Sequence, residues 1–190
     1  MPRRPRAVFL DRDGTVNREV DLLREVAQLR LLPGAAEGIR ALNRMGYRVI
    51  VVTNQPVVAR GWLTEAQLRS IHRVLETRLQ RRGARLDAIF YCPHHPEADL
   101  ARYRVRCRCR KPGTALIRRA VRRLGLATKG SFMVGDSTRD ILAGRRAGLE
   151  TILLGTGYAG KDGKYAVRPD HSVSDLASAA RLIGRLRKKR

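Results

Sequence analysis

Short, uninterrupted apolar runs alternate with longer amphipathic stretches along the whole chain. Residues 6–10, 48–52, 88–91, 131–134 and 151–154 are runs rich in β-branched and aromatic side chains, the pattern of strands buried on both faces. Between them, Ile39 and Leu42 mark a helix over about 35–45, introduced by Pro33-Gly34 and stopped by Gly46. Leu68, Ile71, Leu75 and Leu79 keep helical spacing to about Arg82, behind a Thr64/Gln67 capping box. Further helices are predicted at 115–124, stopped by Gly125, at 140–146, closed by Gly148, and from about Ser174 to the end. Asn17 to Leu32 reads as loop or a short helix, 92–112 as a Cys- and Pro-rich loop, and 155–163 as a flexible loop with four glycines. Strand and helix alternate, so the expected fold is α/β, a parallel sheet covered on both faces and joined by right-handed crossovers.

The ends of these apolar runs carry the polar chemistry. Val8-Phe9-Leu10 stops at Asp11-Arg12-Asp13-Gly14-Thr15, the second run at Thr53-Asn54-Gln55, and the fourth at Gly135-Asp136, with Asp140 close behind. Arg110 and Lys111 lie after the third. Open α/β sheets place ligands at the carboxyl ends of their strands, so these groups can share one crevice. Carboxylates, a hydroxyl and a lysine together suit phosphoryl transfer through a covalent intermediate: a nucleophilic carboxylate, an acid/base carboxylate, donors for phosphoryl oxygens, and a divalent cation to offset the negative charge. Oxygen ligands around phosphate point to Mg²⁺.

Composition narrows the setting. The 190 residues, 43% of them hydrophobic, suffice for one well-buried domain spanning 1–190. Forty basic residues against 17 acidic ones give a net charge of +23, so substrates or partners should be anionic. Thirty-four of the cations are arginines, spread through every segment, and aromatic content is only 5%. A dispersed excess is weaker support for nucleic-acid binding than a clustered stripe. The apolar run after basic Arg3, Arg4 and Arg6 is cut at Asp11, and no stretch reaches the length of a membrane span; a cytoplasmic, monomeric protein is expected, with a basic tail at about 185–190. The three cysteines all fall between 92 and 109, an odd number that argues against a disulfide framework and for metal.

In order, Asp11-Arg12-Asp13-Gly14-Thr15, Thr53-Asn54, Lys111-Pro112 and Gly135-Asp136 with Asp140 resemble the four motifs of the haloacid dehalogenase (HAD) superfamily phosphatases. Cys92-Pro93-His94-His95-Pro96 with Cys107-Arg108-Cys109 resembles that superfamily's zinc-loop branch, which contains D-glycero-D-manno-heptose-1,7-bisphosphate 7-phosphatases and histidinol-phosphate phosphatases. The resemblance runs from Val8 to about Leu154 and implies a Rossmann-like HAD fold with a minimal cap. It implies Asp11 as nucleophile and Asp13 as general acid/base, with Mg²⁺ on the Asp11 carboxylate, the Asp13 main-chain carbonyl and the Asp136 carboxylate. Thr53 and Lys111 would meet the transferring phosphoryl group, Asn54 and Arg110 the substrate, with Thr15 and Asp140 behind them. Asp140 has an alternative role as an acid in the first turn of its helix. Cys92, His94, Cys107 and Cys109 form a Cys₃His set for a closed, structural Zn²⁺, with His95 a rival to His94. His95, His72 and His171 are otherwise expected to be surface or partly packed.

The expected reaction is removal of the 7-phosphate of a heptose 1,7-bisphosphate, a small phosphorylated sugar. Histidinol phosphate is the first alternative, although its amine would need an acid and none stands out near the motifs. A nucleic-acid 3′-end phosphatase, or an RNA-binding protein with a retired site, completes the set. Thr53-Asn54-Gln55 is followed by Pro56-Val57 where relatives have Ser-Gly, and Ser137 stands where a lysine is common; both departures bear on substrate choice. Gly155-Thr156-Gly157-Tyr158-Ala159-Gly160 matches a dinucleotide fingerprint as a string but is not expected to open a helix. Trp62, next to Arg60 and Gly61, either lines the site mouth or covers the following helix, with packing the preferred reading.

Overall fold

A computed structural model describes residues 4–188; Arg3, Lys189 and Arg190 of the predicted basic ends lie outside the described residues. Six parallel strands form one sheet in the order β3-β2-β1-β4-β5-β6. They are β1 (Arg6–Leu10), β2 (Arg48–Asn54), β3 (Ala88–Cys92), β4 (Ala127–Gly135), β5 (Glu150–Leu154) and β6 (His171–Val173). The helices are α1 (Ala35–Arg44), α2 (Pro56–Ala59), α3 (Glu65–Gln80), α4 (Ala115–Leu124), α5 (Thr138–Arg146) and α6 (Leu176–Lys188).

Side-chain alternation along the strands divides the core in two. Val8, Leu10, Val49, Val51, Phe132, Val134 and Ile152 face Ile39 and Leu42 of α1, Leu68, Leu75 and Leu79 of α3, and Ile183 of α6. Ala7, Phe9, Ile50, Val52 and Met133 face Leu116, Ile117 and Ala120 of α4 and Ala143 of α5. Burial on both sides is why these strands read as continuous apolar runs.

Chain order reverses at β1, which pairs with β2 on one side and β4 on the other. Leu10 lies opposite both Val51 and Val134, so Asp11 leaves the sheet beside Thr53 and Gly135. This is the switch-point crevice of an open α/β sheet.

Five elements depart from expectation. β2 continues through Asn54, keeping Thr53 and Asn54 in register with Tyr91 and Cys92 of β3. β4 starts at Ala127 because a bulge absorbs residues between the Arg6↔Ala127 and Val8↔Phe132 pairs; Ser131 Oγ bridges it, donating to the Ala127 carbonyl and accepting from the Ala7 N–H. β6 is a three-residue edge strand, too short to register as an apolar run, and it holds His171 against Glu150 at 2.8 Å. Pro56 starts α2 at its first helical position, where its fixed φ and missing N–H cost nothing. α5 begins at Thr138, two residues early, behind a Ser137/Asp140 capping box.

Candidate active site

The strand ends surround a cavity of about 320 Å³ lined by Asp11, Asp13, Thr53, Asn54, Arg110 and Lys111, with Glu19, Arg60, Trp62, Arg139 and Tyr158 farther out. At its floor the buried Lys111 Nζ lies 2.8 Å from Asp11 Oδ1 and 2.7 Å from Asp140 Oδ1. These two carboxylates outweigh the desolvation of Lys111 and raise its pKa, keeping the ammonium charged. Asp140 Oδ1 meets Lys111, while its Oδ2 accepts from the Ser137 N–H and hydroxyl. Asn54 brackets Lys111 from β2, its Oδ1 accepting from the Lys111 N–H and its Nδ2 donating to the Lys111 carbonyl. That side chain therefore holds Lys111 in place while also lining the cavity.

Asp11, Asp136 and Asp140 bring one carboxylate oxygen each to within 4.8 Å of one another. Against the single positive charge of Lys111 the trio carries an excess of two negative charges. Burial, then repulsion from Asp140 and Asp11, pushes Asp136 up to about 8; burial also lifts Asp11 to about 6. A divalent cation restores neutrality in this oxygen-donor set, so the residues fit Mg²⁺.

The loop expected to be flexible is instead fastened to this centre. The Tyr158 N–H donates to Asp136 Oδ2 at 2.7 Å, the Gly160 N–H to the Asp136 carbonyl, and the Thr156 hydroxyl to the Gly14 carbonyl. Gly14 and Gly157, both at positive φ, flank the Asp136 carboxylate so closely that a Cβ on either would lie 2.3 or 2.1 Å from its Oδ2. The glycines read as loop punctuation in the sequence thus make room for a carboxylate.

Asp13 occupies a second polar network. The wholly buried Arg12 donates to both its oxygens at 2.8–3.0 Å, Asn17 donates to Oδ1 and Gln55 to Oδ2. Although burial works the other way, Arg12 and the hydrogen bonds hold its carboxyl below the usual range. Gln55 also donates to Thr53 Oγ1, tying the ends of β1 and β2 together. Behind Arg12 lies His72, 5% exposed, whose Nε2 is 3.1 Å from Arg12 Nη1. Burial, then the adjacent guanidinium, pushes His72 down to about 3 and leaves a neutral imidazole to accept that bond. The expectation of a surface or partly packed histidine is corrected here. Arg12 supplies the reason: an arginine on the buried side of the site needs a buried acceptor. Thr15 is buried too, its hydroxyl oxygen without a hydrogen-bond partner among the described residues.

Cys92 at the end of β3 meets Cys107, Cys109 and His94 in the following loop. The sulfur atoms are 2.9–3.4 Å apart, and His94 Nδ1 lies 3.4 Å from Cys109 Sγ and 3.8 Å from Cys92 Sγ. Three thiols and one imidazole aimed at a common point fit tetrahedral Zn²⁺. His95 is not in the cluster; its Nδ1 accepts from the Glu97 N–H. The loop is clamped to α3 by Glu65, which accepts from the hydroxyls of Tyr91 and Tyr103. It delivers Arg110 to the cavity with its guanidinium bonded to the His94 carbonyl.

The outer cavity bears on two further readings. Trp62, 42% exposed, lines the mouth, the first of its two expected places, with the Arg24 guanidinium 3.6 Å from its ring centre. Glu19 and Asp21 supply acids close to the motifs, where the sequence offered none; the chain between Asn17 and Leu32 has no periodicity that would have placed them.

Comparison with known proteins follows the same geometry. A family model for HAD-hydrolase-like proteins matches residues 108–179. A D-glycero-β-D-manno-heptose-1,7-bisphosphate 7-phosphatase of Pasteurella multocida is 37% identical over 180 residues, covering 94% of this chain and 96% of the relative. The chain belongs to this family of HAD phosphatases. A second family member, from Rhodopseudomonas palustris, is 43% identical over 148 residues, covering 78% of this chain and 82% of its own length. The crystal structure of D,D-heptose 1,7-bisphosphate phosphatase from B. bronchiseptica, complexed with magnesium and phosphate, superposes with a TM-score of 0.85 at 34% identity, covering 95% and 99% of the two chains. As a HAD phosphatase, this chain is a phosphoric monoester hydrolase. No described helix is long and apolar enough to cross a membrane.

Proposed function

We propose that this HAD phosphatase removes the 7-phosphate of D-glycero-β-D-manno-heptose 1,7-bisphosphate through an aspartyl-phosphate on Asp11. The observation that carries the reading is the Asp11–Lys111–Asp140 cluster beside Asp136. One of its carboxylates, Asp11, opens onto the cavity while the others are sealed behind it. The relatives named above supply the substrate.

An Asp11 carboxylate oxygen attacks phosphorus, and the bond from phosphorus to the sugar oxygen breaks. Asp13 gives the leaving alkoxide a proton, then takes one from the water that attacks the aspartyl-phosphate, releasing inorganic phosphate and restoring Asp11. Arg12, Asn17 and Gln55 keep Asp13 aimed and ionised in the free site. A dianionic ester beside it acts in the opposite direction, since a neighbouring like charge favours the protonated form. Lys111, steadied by Asp140 and Asn54, faces the charge that spreads over the phosphoryl oxygens; Thr53 adds a hydroxyl. Mg²⁺ held by Asp11, the Asp13 carbonyl and Asp136 would supply Lewis-acid stabilisation of the transferring group. Zn²⁺ held by Cys92, His94, Cys107 and Cys109 would order the loop that presents Arg110 and Lys111.

A bisphosphate brings a second anion, and the cavity has cations for it. Arg110 and Arg139 both line it, and Arg110 is pushed down by burial and by the charge of Arg139. An anion between two guanidiniums removes that repulsion. Arg139 follows two residues after Ser137, so α5 still supplies a cation although Ser137 itself is spent on the helix cap. Histidinol phosphate is the second reading, favoured by one observation: Glu19 and Asp21 could meet an amine.

The test is phosphate release with Mg²⁺ from both anomers of the heptose bisphosphate, histidinol phosphate and a 3′-phosphorylated oligonucleotide, each beside Asp11→Asn. The expected result is preference for the β-anomer and no turnover by the variant. Preference for histidinol phosphate or the oligonucleotide overturns the substrate, and near-normal activity of Asp11→Asn overturns the mechanism.

A further inference from the structure

The cations of this chain are spread along its length, but the acids are not. Between Asp99 and Asp136 lie 36 residues without a single acid, and eleven of them are lysine or arginine. Two of the eleven, Arg110 and Lys111, line the cavity already described. Four others, Arg118, Arg119, Arg122 and Arg123, form the exposed side of α4, whose Leu116, Ile117 and Ala120 are buried in the core. None of these four guanidiniums has an ion pair or a hydrogen bond among the described residues. Arg118 with Arg122, and Arg119 with Arg123, are like charges four residues apart, an arrangement that works against a helix. Attraction to the helix C-terminus accounts for Arg122 and Arg123 in the last turn, but not for Arg118 and Arg119 a turn earlier.

The same charge continues past the end of the helix. Gly125, at φ 61°, turns the chain from α4 into β4, whose first residue pairs with Arg6. Lys129 then shares a groove of about 1340 Å³ with Arg4, Arg6 and Arg187 at the edge of the sheet opposite the phosphatase cavity. The two acids of this groove are turned to neighbours: Glu150 to His171 at 2.8 Å, and Asp170 to the N–H and hydroxyl of Thr151. We infer that the outer face of α4, continued by this groove, is a second binding surface that holds the phosphate backbone of duplex DNA without reading its sequence. A single strand is held largely by stacking on aromatic rings, and no aromatic residue occurs between Tyr103 and Phe132. A membrane surface asks for apolar anchors beside the cations, whereas the apolar side of α4 is already in the core. The side chains of α4 include no acceptor for base edges or a ribose 2′-hydroxyl, which leaves the phosphates as its partners.

The experiment follows the anisotropy of a fluorescent duplex of about 20 base pairs between about 50 and 200 mM salt. One variant carries glutamine at Arg118, Arg119, Arg122 and Arg123. A control carries glutamine at the exposed Arg44, Arg73, Arg81 and Arg82 on α1, α3 and the turn after it, on the other side of the sheet, so both remove four charges from the total of +23. The α4 variant should bind about 100-fold more weakly at 0.1 M salt, with the slope of log K against log salt flattened by about 3. The control should stay within about threefold of the unaltered chain, and Lys129→Gln should flatten the slope by about 1. Lysine at the four α4 positions should keep binding within about threefold, since a phosphate backbone accepts either cation. Cleavage of p-nitrophenyl phosphate should be unchanged in every variant, because none of these residues lines the phosphatase cavity. Equal losses in the α4 variant and the control overturn the inference, because overall charge is then the cause. So does absence of duplex binding by the unaltered chain, a lysine variant as weak as the glutamine one, or tighter binding to a single strand or to phosphatidylserine vesicles. An unchanged slope in Lys129→Gln overturns the continuation into the groove.

Discussion

Gly157→Ala is expected to damage metal binding although it touches no motif residue covalently. The added methyl would sit 2.1 Å from Asp136 Oδ2, 2.7 Å from Asp136 Cγ and 2.8 Å from Gly14 Cα. Ordinary contact begins near 3.4 Å, so relief needs a displacement of roughly 1 Å shared between loop and carboxylate. Gly157 also has φ 53°, which costs an L-residue about 1–2 kcal/mol. Gly163→Ala separates the two effects, since Gly163 has φ 60° and no atom of the described residues within 4 Å of its would-be Cβ. Both variants should lose about 1 kcal/mol of stability in urea melts from the backbone term. Only Gly157→Ala should also weaken the Mg²⁺ dependence of phosphate release and lower kcat, by about 100-fold for a 1 Å misplacement. If Gly157→Ala keeps the half-saturating Mg²⁺ concentration and kcat of Gly163→Ala, then the 155–163 loop does not set the position of Asp136.

Three further outcomes follow from the same geometry. Cys107→Ser should lose bound zinc, measured by elemental analysis, and a matching part of its thermal stability; retention of one zinc per chain would refute the Cys₃His assignment. His72→Gln should flatten the acid side of the stability profile: the folded His72 pKa is depressed, so its contribution is present above about 6.5 and lost as pH falls. Between pH 7 and pH 5 that loss is about 2 kcal/mol, read as the difference between urea midpoints of the two chains. Asp140→Asn should lower both kcat and stability, the latter by roughly 2–4 kcal/mol, because an amide can accept from Lys111 or from Ser137 but not from both. Equal stability in thermal melts would show that Asp140 is not what holds Lys111.

What the sequence determined by itself was whatever has a local signature. Double-sided burial writes strands β1, β2 and β4 as apolar runs, and helical spacing with caps writes α1, α3 and α4. The strand-end position of Asp11, Thr53 and Asp136 follows directly, because polar residues that interrupt a buried run must stand at its edge. The cluster of Cys92, His94, Cys107 and Cys109 is legible because four side chains able to ligate a metal fall within 18 residues of one loop. Only the tertiary structure decided how residues without such a signature meet. Arg12 and His72 are 60 positions apart and find each other because α3 packs under the end of β1. Gly157 reads as a loop glycine until Asp136 is seen 2.1 Å from its missing methyl. Asn54 shows its bonds to the Lys111 peptide groups only once the end of β2 meets the loop before α4. Glu19 and Asp21 belong to a stretch with no period at all, and their place beside the reacting carboxylates comes from loop closure over the crevice. Periodicity records the faces an element buries. It carries no record of which distant side chain stands on the other side of a cavity, because that is set by how the layers pack.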